Sequence, residues 1–171
     1  MEAQVVVLTE SYRSALMRFA CSDALIDLYL QHYAFKDQEE LRSICYLLVN
    51  HEKDIIGFFT LGTSTLKATH IPFKVREMTK SPNGLHPILT IKHFAVNIQF
   101  QGKGNGRHLL IAALKQAAMA THLIGASAVF INQIDGTTST FYQKLGFTSL
   151  PNQQKLFMST KQLHAMFLPF H

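Results

Sequence analysis

Gln101-Gly102-Lys103-Gly104-Asn105-Gly106-Arg107 lies between two stretches of opposite periodicity. Before it, Ile88 to Asn97 reads as a strong strand, set off upstream by the turn-forming Pro82-Asn83-Gly84. After it, Leu110, Ala113, Leu114 and Ala117 recur at helical spacing and predict a helix to about Thr121. Three glycines in five residues allow backbone angles barred to other side chains, and no proline removes an amide between Gly102 and Arg107. Amides gathered at the positive end of a helix suit an anion, and a pyrophosphate is a natural occupant. Lys103 and Arg107 add charge; the alternative is a glycine-rich turn that holds no ligand. The stretch lacks the Gly-Lys-Ser/Thr of a nucleotide triphosphatase and does not read Gly-x-Gly-x-x-Gly.

Outward from this junction, the chain reads as one mixed sheet. On the N-terminal side the pattern predicts a strand over Val5–Leu8, then a helix over Ser22–Tyr33 with Ser22 or Asp23 as its cap. Ile26, Tyr29, Leu30 and Tyr33 form the expected inward face of that helix. Strands come next over Ile44–Asn50 and Asp54–Ser64, joined by His51-Glu52-Lys53. Leu66 to Asn83 reads as irregular and basic, with Pro72 opposing any long regular element. On the C-terminal side Gly125 precedes a strand over Ala126–Asn132, Gly146 closes a short helix from Thr137 to Lys144, and Lys155–Ser159 is a last strand before an apolar tail. Antiparallel strands, then strand–helix–strand–helix–strand, give an α/β or α+β architecture, taken as a single domain over residues 1–171.

Composition removes several classes. With 47% apolar and 16% charged residues the 171-residue chain can bury a core and is not disordered. No apolar run reaches the roughly 18 residues of a membrane span, and Met1–Val7 carries no signal-peptide pattern. Two cysteines, Cys21 and Cys45, are too few for a disulfide scaffold, so no metal centre is expected and a cytoplasmic location is. The net charge of +5 is uneven: residues 1–59 hold five Lys/Arg against nine Asp/Glu, and residues 60–171 hold eleven against two. That basic C-terminal portion suits an anionic ligand or partner, the alternative being a solvated basic face.

Gln101-Gly102-Lys103-Gly104-Asn105-Gly106 resembles the Gln/Arg-x-x-Gly-x-Gly/Ala signature of the GNAT superfamily of acyl-coenzyme A-dependent N-acyltransferases. Phe141-Tyr142-Gln143-Lys144-Leu145-Gly146-Phe147 stands at the distance of that superfamily's Phe-Tyr-x-x-x-Gly-Phe segment. Further upstream, Phe19-Ala20-Cys21-Ser22-Asp23-Ala24-Leu25-Ile26-Asp27-Leu28-Tyr29-Leu30 is similar to the opening of the GNAT toxins of bacterial type II toxin–antitoxin modules. Ser22 stands where those toxins usually have glycine, and Asn105 occupies a slot that is usually apolar or basic.

The resemblance implies a GNAT-type, mostly antiparallel sheet flanked by helices, and acetyl-coenzyme A as the acyl donor. It implies that Gln101, Gly102, Lys103, Gly104, Asn105, Gly106 and Arg107 hold the pyrophosphate. Phe94, Ala95 and Val96 would hold the pantetheine arm through their main chain, with Asn132 also near the coenzyme. Tyr142 matches the family's general acid, which a phenol with a pKa of about 10 can be; its alternative is an aromatic core residue.

No carboxylate base is evident, since only Glu77 and Asp135 are acidic after residue 59 and Asp135 reads as structural. This favours an α-amine acceptor, whose pKa of about 8 leaves a neutral fraction at pH 7, over a lysine. His93 is a candidate proton relay, the alternative being a packed or hydrogen-bonded strand histidine. Lys67, Lys74, Arg76, Lys80 and Lys92 are candidate contacts to RNA phosphates.

The acceptor implied by the resemblance is aminoacyl-tRNA, with an antitoxin protein and a homodimer as further expected partners and the tail Met166-Phe167-Leu168 as a possible dimer contact. A small amine or a protein N-terminus is the alternative acceptor, and a non-catalytic coenzyme A-binding module the second alternative. Cys21, on an apolar helix start, is expected to be buried rather than nucleophilic.

Overall fold

The strand-to-helix junction forms where the periodicities meet. In a computed structural model, β-strand Leu85–Val96 passes through a short turn, Ile98–Phe100, and the glycine loop into the 20-residue helix Asn105–Ile124. The structure describes residues 3–73, 80–132, 139–150 and 155–168. Lys74, Arg76, Glu77 and Asp135 lie outside the described residues, as do Thr137 and Thr138 at the expected start of the short helix.

Seven strands are described: β1 Gln4–Val7, β2 Ile44–Val49, β3 Ile55–Lys67, β4 Leu85–Val96, β5 Ala128–Asn132, β6 Thr148–Ser149 and β7 Lys155–Ser159. Their hydrogen-bonded order is β1-β2-β3-β4-β5-β7-β6. The helices are α1 Arg13–Leu16, α2 Ala24–Leu28, α3 Ala34–Glu39, α4 Asn105–Ile124, α5 Ser139–Lys144 and α6 Thr160–Phe167. The expected mixed sheet is therefore present; β4–β5 is parallel, and the β1–β2, β2–β3, β5–β7 and β6–β7 pairs are antiparallel.

The chain divides into two compact units, one of residues 1–62 and 92–113, the other of residues 63–91 and 114–171. Strands β3 and β4 and helix α4 each run from one unit into the other. In the first unit Leu8, Leu16, Phe19, Leu30, Leu47, Val49 and Phe58 are buried together, and Phe19 meets Phe58 edge to face at 5.4 Å between ring centroids. Gly57 is required here because a Cβ would stand 2.8 Å from the Ala95 carbonyl oxygen and 2.9 Å from Leu109. In the second unit Ile88, Ala128, Phe130, Leu150 and Phe157 form the core, with Phe130 and Phe157 stacked at 5.8 Å.

Several sequence expectations are corrected. The helical stretch from Ala24 reaches Glu39 through a π turn at Tyr29–Tyr33. The extra residue in that turn rotates the remainder of the helix, so Tyr33, expected inside, is exposed and Ala34 is buried in its place. Asp23 rather than Ser22 is the cap, its Oδ1 accepting from the amides of Leu25 (3.0 Å) and Ile26 (3.3 Å). β3 continues three residues past its expected end, taking Leu66 and Lys67 from the stretch that reads as irregular, and β4 starts three residues early. The apolar tail is the end of α6, capped by Ser159 Oγ on the Gln162 amide at 3.2 Å. The inward face of α4 is as expected, with Leu110, Ala113, Leu114 and Ala117 fully buried.

Candidate active site

Glycine supplies the backbone of the loop at two positions. Gly102 (φ 73°) and Gly104 (φ 81°) are left-handed, and a Cβ on either would meet open space, so the torsion alone demands glycine. The first backbone bond of α4 is donated by His108 to the Gly104 carbonyl at 3.2 Å. The amides of residues 102–107 have no acceptor among the described residues. These donors sit at the start of a 20-residue helix, beside the exposed side chains of Lys103 and Arg107.

The loop is anchored by its polar side chains. Gln101 Nε2 donates to the Val96 carbonyl at 2.9 Å and the Cys21 carbonyl at 3.3 Å. Asn105, the residue that departs from the family pattern, donates from Nδ2 to the Phe100 carbonyl at 2.8 Å. Lys103 Nζ lies 3.4 Å from the Gln99 carbonyl. Gln101 and Asn105 thus hold the loop's shape, and the main chain carries the donors that remain. This donor set fits a pyrophosphate.

On β4, the ladder to β5 ends at Ile91↔Ile131, so the main-chain groups of Lys92–Val96 are not used by it. Phe94 and Val96 are half-buried and Ala95 is buried against the core of the first unit. His93 is hydrogen-bonded, one of the two roles expected for it: Nδ1 lies 3.1 Å from Thr60 Oγ1, and the ring stacks on Tyr29 at 3.5 Å. Burial pushes His93 below its ordinary pKa, against the raising influence of Asp37.

Lys92 bends over Gly62, and its Nζ donates to the Arg42 carbonyl at 3.1 Å. That bond gives this candidate RNA contact a structural role. Cys21 is half-buried, with its thiol pushed up to about 11, first by burial and then by Asp27. It stays protonated at neutral pH, as a non-nucleophilic cysteine should.

In the second unit Tyr142 is buried on α5, 3% exposed, edge-on to Phe141 at 5.5 Å and to Phe147 at 5.9 Å. The left-handed Gly146 turns the chain after α5, and Phe147 N–H returns to the Tyr142 carbonyl at 3.1 Å. Asn132 is exposed at the end of β5, opposite Lys155. Lys67 and Lys80 are exposed, and Lys80 lines a recess with Ala68, Ser81, Pro82 and His86. The Thr60 contact to His93 leaves no signal in the sequence, since the two residues are 33 apart and pair only in the sheet.

A mixed sheet whose fourth strand feeds a glycine-turned loop of amides without acceptors among the described residues presents, at a helix N-terminus, a donor set that suits a pyrophosphate-bearing ligand. Residues 42–149 match the family described as Acetyltransferase (GNAT) domain, and the chain belongs to that family. It is similar to a tRNA-acetylating toxin of Mycobacterium tuberculosis, with 25% identity over 150 residues, 88% of this chain and 83% of the relative. Among solved structures it is similar to AtaT complexed with acetyl-methionyl-tRNAfMet, with a TM-score of 0.84, 25% identity and coverage of 97% and 99% of the two chains. A tyrosine-to-phenylalanine mutant of KacT shares the fold, with a TM-score of 0.86, 21% identity and coverage of 98% and 100%.

Proposed function

We propose that this GNAT acetyltransferase transfers acetyl from acetyl-coenzyme A to the α-amine of an aminoacyl-tRNA and so acts as a toxin that blocks translation. The observation that carries the donor half is the row of unpaired amides at residues 102–107. The acceptor half is supported by similarity to a tRNA-acetylating toxin and to AtaT complexed with acetyl-methionyl-tRNAfMet. A toxin also needs a neutralising partner for its host to grow, so an antitoxin protein is part of the proposal, and a homodimer is its expected assembly. Charged tRNA is cytoplasmic, and no helix among the described residues is long and apolar enough to cross a membrane.

In this reading the chain works as one acyltransferase domain over residues 1–171. Acetyl-coenzyme A supplies the acetyl group as a thioester. Amides 102–107, with Lys103 and Arg107, neutralise and fix the pyrophosphate, and Gln101 and Asn105 keep the loop in shape. Main-chain groups of Phe94, Ala95 and Val96 align the thioester arm alongside β4, with Asn132 a further contact. The amine forms a C–N bond to the acetyl carbon as the C–S bond breaks; Tyr142 gives its phenolic proton to the departing sulfur, the amine gives one up to solvent, and Tyr142 regains a proton from solvent before the next turnover. An acceptor amine with a pKa of about 8 is partly neutral without a dedicated base. Lys67 and Lys80, with Lys74 and Arg76, contact RNA phosphates.

Inducible expression in a bacterial host tests the reading. Wild type arrests growth and Tyr142→Phe relieves the arrest; a host untouched by the wild type would count against it.

A further inference from the structure

His93 stands next to Phe94 on β4, and its ring is held from two sides. The hydroxyl oxygen of Thr60, a fully buried residue, accepts the His93 main-chain N–H at 3.1 Å and lies 3.1 Å from ring Nδ1. With that N–H already directed at the oxygen, Nδ1 is the one acceptor among the described residues for the Thr60 proton. A buried hydroxyl left without an acceptor is costly, so Thr60 donates to Nδ1 and the neutral ring carries its own proton on Nε2.

Tyr29 lies flat on the imidazole, with ring planes 12° apart, and its hydroxyl donates to Asp37 at 3.0 Å. His93 is only partly buried, and its Nε2 has no hydrogen-bond partner among the described residues. The charged groups acting on the ring are Asp37, behind Tyr29, and Lys92, its chain neighbour; burial, aided by Lys92, outweighs the raising influence of Asp37 and keeps the ring neutral.

We propose that His93 is a positioning residue for the acceptor, its Nε2–H donating to the ester carbonyl oxygen that neighbours the α-amine of the aminoacyl group. The inference rests on the aminoacyl-tRNA reading above. In an α-aminoacyl ester the carbonyl and the amine are both carried by the α-carbon unit. A fixed donor on the oxygen therefore limits where the nitrogen lone pair can point. A simple amine offers no such oxygen, so the same N–H sorts α-aminoacyl esters from amines that lack a carbonyl. In this tautomer the ring does not serve as a base, because Nδ1 is filled and Nε2 already holds a proton. The proposal thus gives His93 a donor role in place of the candidate proton relay.

The test compares kcat and KM on charged tRNA for the wild type, His93→Gln and His93→Phe, with acetyl-coenzyme A binding by calorimetry as the control for folding. Glutamine retains an N–H donor and stays within a few-fold of wild type. Phenylalanine keeps the stack on Tyr29 without the donor and loses about tenfold in kcat/KM, mainly through the acceptor KM, the scale of one lost hydrogen bond. The pH profiles of wild type and His93→Gln share a single rise near the amine pKa of about 8. An added inflection near the ordinary histidine range in wild type, absent in His93→Gln, would make His93 the base and overturn the proposal. Full activity of His93→Phe would overturn it as well. Imidazole nitrogen shifts of the wild type, read by NMR, show the proton on Nε2; a proton on Nδ1 contradicts the proposal independently of any variant's folding. Wild type that acetylates simple amines but no aminoacyl-tRNA overturns the acceptor reading itself, and the proposal with it.

Discussion

Ser22 is a non-glycine residue held in a left-handed conformation, φ 74°, at the position where the toxins it resembles usually carry glycine. The departure from the pattern is therefore a conformational cost, of about 1 kcal/mol before glycine's greater freedom in the unfolded chain is counted. Ser22→Gly should stabilise the fold by up to about 0.5 kcal/mol net and raise the thermal midpoint by about 1–2 °C, which differential scanning calorimetry would detect. Tyr142 makes the opposite kind of prediction. Its ring packs between Phe141 and Phe147, so Tyr142→Phe keeps the buried aromatic and removes only the hydroxyl. Thermal stability should change little while kcat falls by about a hundredfold or more, with the acetyl-coenzyme A KM unchanged. A loss below about threefold, measured by thiol release, would leave Tyr142 a core residue and nothing else.

At the level of elements, the β4–loop–α4 junction is legible in the sequence because two periodicities change over at a cluster of glycines, and both signals are local. In the proposed function its role is carried by backbone, so side-chain changes inside it should act through shape. Gly102→Ala and Gly104→Ala meet no steric obstacle, yet each forces an alanine to positive φ. The pair should raise the acetyl-coenzyme A KM by about tenfold through misdirected amides, with kcat at saturation largely kept. Elements that depend on distant partners are less legible. The pattern Ile26, Tyr29, Leu30, Tyr33 fits an undistorted helix, and nothing local announces the π turn that turns Tyr33 outward and Ala34 inward. β6 is two residues long, too short to show a period. Helix α6 does leave a trace in Ser159-Thr160-Lys161-Gln162, the spacing of a capping box, and Ser159 caps the Gln162 amide. Gln162 then departs from the box, using its side chain to reach the Gly146 carbonyl at 3.1 Å. The Thr60–His93 pair, and with it the tautomer that decides what His93 can do, exists only through sheet pairing.

Across the whole molecule, burial of titratable groups sets a pH window for stability. Cys45 is pushed up to about 12 and Cys21 to about 11, both chiefly by burial, so the fold favours their protonated forms. Their contribution is fully present below the unfolded thiol pKa of about 8.5 and is lost as pH rises through the folded values. His93 runs the other way: its lowered pKa means the unfolded chain takes up the proton first, so stability falls as pH drops below about 6.5. Denaturant midpoints should therefore be highest between about pH 7 and 8.5.

The charge asymmetry has a mechanistic counterpart on the same scale. In the proposed function Lys103 and Arg107 serve the coenzyme loop and Lys67 and Lys80, both exposed, face RNA, while Lys92 is tied to the Arg42 carbonyl. Raising salt from 50 to 200 mM should weaken the interaction with charged tRNA steeply, by about tenfold or more if several phosphates are contacted, and the interaction with acetyl-coenzyme A much less.

Aminoacyl-tRNA acetylation itself is measured by incubating the protein with acetyl-labelled acetyl-coenzyme A and charged total tRNA, then releasing the amino acids with mild base. The expected result is label in one or a few N-acetyl amino acids, dependent on prior charging and lost in Tyr142→Phe. Label that appears on uncharged RNA or on free amines, with no N-acetyl amino acid released, would contradict the proposed function.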